Sequence, residues 1–119
     1  MDITNELIND VTVLKLGGRF DAYAAPAVEK FLQKTMGDGR PRNLIVNLAQ
    51  VNFVDSTALA TLVIGMKHYR QQQGELLLCH LQQTVRIIFE LTRLDSIFAI
   101  YATQEEALER AQQSLSEKN

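Results

Sequence analysis

The chain has 119 residues, 46% of them hydrophobic, and its 12 Lys plus Arg against 14 Asp plus Glu leave a net charge of −2. This is enough apolar content for one packed domain and too much for a disordered tail. Without a basic excess, nonspecific nucleic-acid binding is excluded as an expectation, and no apolar run approaches the ~20 residues of a membrane span.

In chain order, Ile3 to Ile8 and Val11 to Leu16 are two short apolar-rich runs around Asn9-Asp10, a pair suited to a tight turn, so a hairpin is expected. The amino terminus, Met1 to Glu6, lacks the basic and apolar regions of a signal peptide. Gly17-Gly18 is expected to end the second strand. A helix then runs from about Pro26 to near Met36, with Val28, Phe31, Leu32 and Thr35 as its inner stripe and Gly37 as its C-cap, followed by a loop through Pro41. Leu44 to Leu48 is apolar and partly β-branched, which suits a strand buried on both faces. After Asp55-Ser56-Thr57 the period changes: Leu59, Leu62, Val63 and Met66 mark one face of a helix that ends at Gln71 to Gly74. Glu75 to Cys79 is the next strand, where Cys79, the single cysteine, reads as a buried thiol. With no intrachain disulfide possible, a cytoplasmic location is expected. A helix from about Gln83 to Leu94 carries Val85, Ile88, Phe89 and Thr92 on one side, and Ile97 to Tyr101 is the last strand. Thr103 and Glu106 have capping-box spacing and open a final helix that buries Ala107, Leu108, Ala111 and Leu115 and frays over 116–119. The order β-β-α-β-α-β-α-β-α predicts a single α/β domain over 1–119, with a mixed, mostly parallel sheet of about five strands and about four helices.

Most familiar chemistry finds no support in the residues. Gly17-Gly18 and Gly37-x-Gly39 match neither phosphate-cradling glycine pattern, so no cofactor is expected and a nucleotide-binding protein is only a third alternative, to be tested by calorimetric titration with nucleotide. Two histidines and one cysteine leave no metal constellation of recognisable spacing. Ser56 lacks the nucleophile elbow of a hydrolase, and His68 lies three helical turns, roughly 18 Å, along the axis from it. His80 follows a different strand and is not excluded as a partner by spacing alone.

Ser56 itself admits two readings. One is an ordinary helix N-cap, worth about 1 kcal/mol. The other is a phosphate acceptor, because unpaired N–H groups and the positive dipole end favour an anion there. Phosphorylation would add about −1.5 to −2 charges beside the carboxylate of Asp55, changing the surface more than tightening the cap. At 100° per residue, Thr57, Thr61, Ile64 and His68 point outward from the helix, flanked by Ala58, Ala60 and Gly65. So few charges on an outer face suit either a second packing contact within the domain or a docking surface for another protein.

Leu44-Ile-Val-Asn-Leu followed by Val51-Asn-Phe-Val-Asp55-Ser56-Thr57-Ala58-Leu59 resembles the signature of STAS domains, the anti-sigma factor antagonist family. Gly18-Arg19-Phe20-Asp21 resembles the family's Gly-x-x-Asp after the second strand, and the likeness extends over Gly74 to Cys79 and Val85 to Phe98. The resemblance implies a non-enzymatic binding module. Its partners would be an anti-sigma factor with serine-kinase activity, which modifies Ser56 and is thereby released, and a phosphoserine phosphatase that reverses the mark. Asp21 and Asp55 would neighbour the site, with Thr57 a minor acceptor. Thr57, Ala58, Ala60, Thr61, Ile64, Gly65 and His68 would meet the partner. Where the family commonly has glycines two and four residues after the serine, this chain has Ala58 and Ala60, still small. The family also contains unphosphorylated accessory subunits of lipid or anion transport complexes, which is the alternative function.

Overall fold

Asn9 and Asp10 both take positive φ, 49° and 69°. This is the mirror-image turn that matches strand twist, and it pairs Ile8 directly with Val11. The computed structural model describes residues 1–35 and 42–118, with side chains as far as Ser114. The hairpin joins β1 (Asp2–Ile8) to β2 (Val11–Phe20). There follow α1 (Ala25–Thr35), β3 (Asn43–Val54), α2 (Ser56–Gln71), β4 (Glu75–Cys79), α3 (Gln83–Leu91), a 3-10 turn at Leu94–Ser96, β5 (Ala99–Tyr101) and α4 (Gln104–Lys118). The sheet has five strands in the order β1-β2-β3-β4-β5, with β1 antiparallel to β2 and every other pair parallel.

That order explains the layers. Each parallel step moves to the next neighbour in one direction, and right-handed crossovers then put every connecting helix on the same face. Accordingly Leu14, Leu16, Leu44, Val46, Leu48, Leu76 and Leu78 meet Val28 and Leu32 of α1, Leu62 and Met66 of α2, and Val85 and Phe89 of α3. Only α4, which follows the last strand, is free to cover the other face, where Ala107 and Ala111 pack on Val11, Val13, Ile45, Leu77 and Cys79. The central strand is therefore apolar at consecutive positions, Leu44, Ile45 and Val46, because alternate side chains serve two cores. Burial, followed by the nearby Glu105 carboxylate, pushes the Cys79 thiol up to about 12, which makes it a core residue and a poor nucleophile.

Several boundaries differ from expectation. Gly17-Gly18 does not end β2: the pairing with β3 shifts on either side of it, Gly18 takes φ 98°, and the strand runs on to Phe20. The glycines accommodate a bulge. β3 likewise continues past Leu48 to Val54. In α1, Phe31 and Thr35 are only half-buried, and the expected Gly37 cap and the loop to Pro41 lie outside the described residues. α3 stops at Leu91: Thr92 is its exposed C-cap, its hydroxyl donating to the Ile88 carbonyl, and Arg93 turns left-handed at φ 62°. Ile97 precedes β5, its carbonyl accepting from Arg70. In α4, Thr103 caps as expected, accepting from the Glu106 N–H at 3.2 Å. Leu108 is half-buried, and the side chain of Leu115 lies outside the described residues.

The end of α2 is a Schellman motif, with Gly74 N–H donating to the Tyr69 carbonyl and Gln73 N–H to that of Arg70. The left-handed position, φ 63°, falls on Gln73 and not on Gly74. Glycine is needed one residue later, because a Cβ on Gly74 would run into the Arg42 carbonyl oxygen. Two opposite outcomes are expected in denaturant unfolding: Gln73→Gly raises stability by about 0.5–1 kcal/mol, and Gly74→Ala lowers it by about 2–3 kcal/mol.

Candidate functional site

The C-terminal ends of β2 and β3 lie side by side, and the two chains that leave them form one corner. Phe20 pairs with Val54, and Asp55 N–H donates to the Phe20 carbonyl at 3.3 Å. Asp55 is extended, at φ −113° and ψ −178°, and is the N-cap of α2. Its Oδ1 accepts from the Ala58 N–H at 2.9 Å, and its Oδ2 accepts from the Ala22 N–H at 2.9 Å. One carboxylate thus caps the helix and ties it to the loop entering α1. Asp21 organises that loop: its Oδ1 accepts from the N–H groups of Tyr23 and Ala24, and its carbonyl from those of Ala24 and Ala25. Both aspartates accept hydrogen bonds from backbone donors, in the Asx-turn and N-cap roles that residue type suggests.

Ser56 is therefore the first residue of α2 and not its cap. It is exposed, as is Thr57, and among the described residues their two N–H groups and the Ser56 hydroxyl have no hydrogen-bond partner. With the cap function discharged by Asp55, a hydroxyl and two amides remain at the positive end of a 16-residue helix, open to solvent. His80 does not serve Ser56 as a base. Its Nε2 accepts the Gln104 N–H at 3.0 Å, where it anchors the start of α4.

The outer face of α2 divides in two. Ala58, Thr61 and Gly65, expected outward, are buried. α1 explains this: a Cβ on Gly65 would lie 2.8 Å from Leu32 Cδ1, and the Thr61 hydroxyl donates back to the Thr57 carbonyl. Ser56, Thr57, Ala60, Ile64 and His68 remain exposed, Ile64 at 53%. Between the helices runs a shallow groove of about 70 Å³, floored by Leu32, Thr61 and Gly65 and walled by Ile64, His68, Glu29 and Gln33. Residue type alone does not mark two further neighbours of the corner, Arg19 and Tyr23. Tyr23 is 95% exposed, and the Arg19 guanidinium lies over the Phe53 ring, 3.9 Å from its centroid. Removing the double acceptor is expected to loosen this corner. Asp55→Ala lowers stability by about 1–2 kcal/mol, and Asp55→Asn, keeping one acceptor oxygen, recovers part of the loss in the same unfolding assay.

Residues 2–107 match the STAS domain family. BtrV of Bordetella bronchiseptica, assigned as an anti-sigma factor antagonist, is 30% identical over 107 residues, covering 90% of this chain and 91% of that protein. The anti-sigma-B factor antagonist of Staphylococcus aureus is 32% identical over 87 residues, 73% of this chain and 80% of its own length. A solved anti-sigma-factor antagonist (STAS) domain protein from Planctomyces limnophilus superposes with a TM-score of 0.84 at 25% identity, over 94% of this chain and 99% of that one. The chain belongs to the STAS domain family, and relatives named anti-sigma factor antagonists match most of its length.

Proposed function

We propose that this protein is a phosphorylation-switched antagonist of an anti-sigma factor that is itself a serine kinase. Unmodified, it binds that partner through the Ser56 corner and the exposed stripe of α2: Thr57, Ala60, Ile64 and His68. Ala58, Thr61 and Gly65 contribute from beneath, by letting α1 approach closely and so fixing the height of the stripe. The kinase transfers the γ-phosphoryl group of a nucleoside triphosphate to Ser56 Oγ. The hydroxyl proton passes to a base on the kinase, and the nucleoside diphosphate leaves. The dianion then stands at the end of the docking stripe, beside Asp21 and Asp55, and repels the partner. A phosphoserine phosphatase restores the binding form.

The observation that carries this reading is the division of labour at the helix start: Asp55 caps, and Ser56 is left exposed with free amides around it. Because Asp55 holds the cap, the Ser56 hydroxyl makes no hydrogen bond among the described residues that modification would break. The names of the relatives support the partner class. No helix among the described residues is long and apolar enough to cross a membrane, which agrees with a cytoplasmic site of action.

Incubation with the cognate kinase and labelled ATP is expected to place one label on Ser56, read by peptide mass spectrometry. Label persisting undiminished in Ser56→Ala would remove Ser56 from the role, and its appearance on Thr57 would reassign the acceptor. Ser56→Asp is expected to weaken kinase binding about tenfold or more in calorimetry, with undiminished affinity counting against electrostatic release. Copurification of a transport ATPase in place of the kinase would favour the accessory-subunit alternative.

A further inference from the structure

Arg19 is a cation at the Ser56 corner to which the switch described above gives no task. It lies near the end of β2, in register with Phe53 of β3. Its guanidinium carbon sits 3.9 Å from the Phe53 ring centroid, and its Nε is 3.7 Å from Asp21 Oδ2. The side chain is 63% exposed, so both contacts are weak and solvent-screened. Ser56 is three residues beyond Phe53, at most about 11 Å of chain. The Asp55–Phe20 and Ala22–Asp55 hydrogen bonds clamp the two strand ends together.

A phosphate on Ser56 would enter a corner that already holds two carboxylates. Neither can withdraw without cost. Both oxygens of Asp55 are bonded to backbone amides, and Oδ1 of Asp21 accepts two more. The mobile charge is the guanidinium, whose planar fork matches phosphate geometry better than a single carboxylate at 3.7 Å. We propose that Arg19 is the internal receptor of the phosphorylated state: it rests on Phe53 and Asp21 in the unmodified protein and moves onto the Ser56 phosphate once that is made. This rests on Ser56 as the acceptor. The move offsets the repulsion from Asp21 and Asp55, stabilising the mark after the partner has left. It also uncovers the Phe53 ring, so modification changes the shape of the corner as well as its charge.

The test uses full-length protein with phosphoserine installed at position 56 by codon suppression, titrated by phosphorus NMR at low salt. Arg19→Gln is expected to raise the second phosphate midpoint by about half a unit or more, Arg19→Lys by less, and added salt to shrink the difference. Lys67→Gln, which removes an exposed charge farther along α2, is expected to leave the midpoint in place. The proposal is overturned if Arg19→Gln titrates like the parent, or if Lys67→Gln shifts it equally. An unphosphorylated Arg19→Gln sample giving the parent's amide spectrum away from the corner shows that the fold is intact. Because the phosphate is built in, the outcomes separate: failure of the kinase to label Ser56 sinks the switch, whereas a flat titration sinks only the role of Arg19.

Discussion

The carboxylate of Asp55 is the interaction on which the rest of this surface depends. Its two oxygens bond two backbone amides 36 residues apart in sequence, Ala22 and Ala58. One bond fixes where α2 begins; the other fixes the loop that leads into α1. The corner between β2 and β3 is thereby a single rigid object, although it is assembled from two loops that would otherwise move independently. An exposed hydroxyl on such a corner has a defined position relative to both helices. A partner that must align it with a nucleotide benefits from that definition.

The packing beneath the corner has the same logic. α1 and α2 approach closely because Ala58, Thr61 and Gly65 present almost no side chain to Leu32 and its neighbours. Close approach buries this side of α2 against α1 and leaves the stripe as the side that faces outward. The stripe itself is built from hydroxyls, an alanine, one isoleucine and one histidine, with the exposed Lys67 at its edge. Such a stripe is weakly hydrated without being a large apolar patch, a composition compatible with reversible association.

Much of this was legible in the residues, and the gaps have physical causes. Element order and the two-sided burial of Leu44 to Leu48 follow from periodicity, which is dominated by the core. The cap was left open among Asp55, Ser56 and Thr57, which are equally good capping types; only the backbone angles at Asp55 decide among them. The faces of α2 were half right. The 3-4-7 spacing of Ala58, Thr61 and Gly65 is the signal of a close helix neighbour, but small residues suit a docking partner as well as an internal one, and sequence does not distinguish the two. Gly17-Gly18 reads equally as a terminator or a bulge, and the choice is made by pairing with β3, a long-range contact. Residue type does not mark Arg19 for the same reason, since its position is defined by Phe53 across the sheet, with Asp21 beside it.

On the second face, α4 meets the sheet through alanines, and a contact so smooth has little to resist sliding along the helix axis. Three polar links act as detents. Asn43 Nδ2 donates to the Ala111 carbonyl, Asn47 Nδ2 to Gln104 Oε1, and His80 Nε2 accepts the Gln104 N–H. A slip of one turn would break all three together, so the helix has one seating where its apolar contacts alone would tolerate several. Asn43 also accepts the Glu75 N–H, which makes the same buried amide the brace between the start of β4 and the helix that covers it.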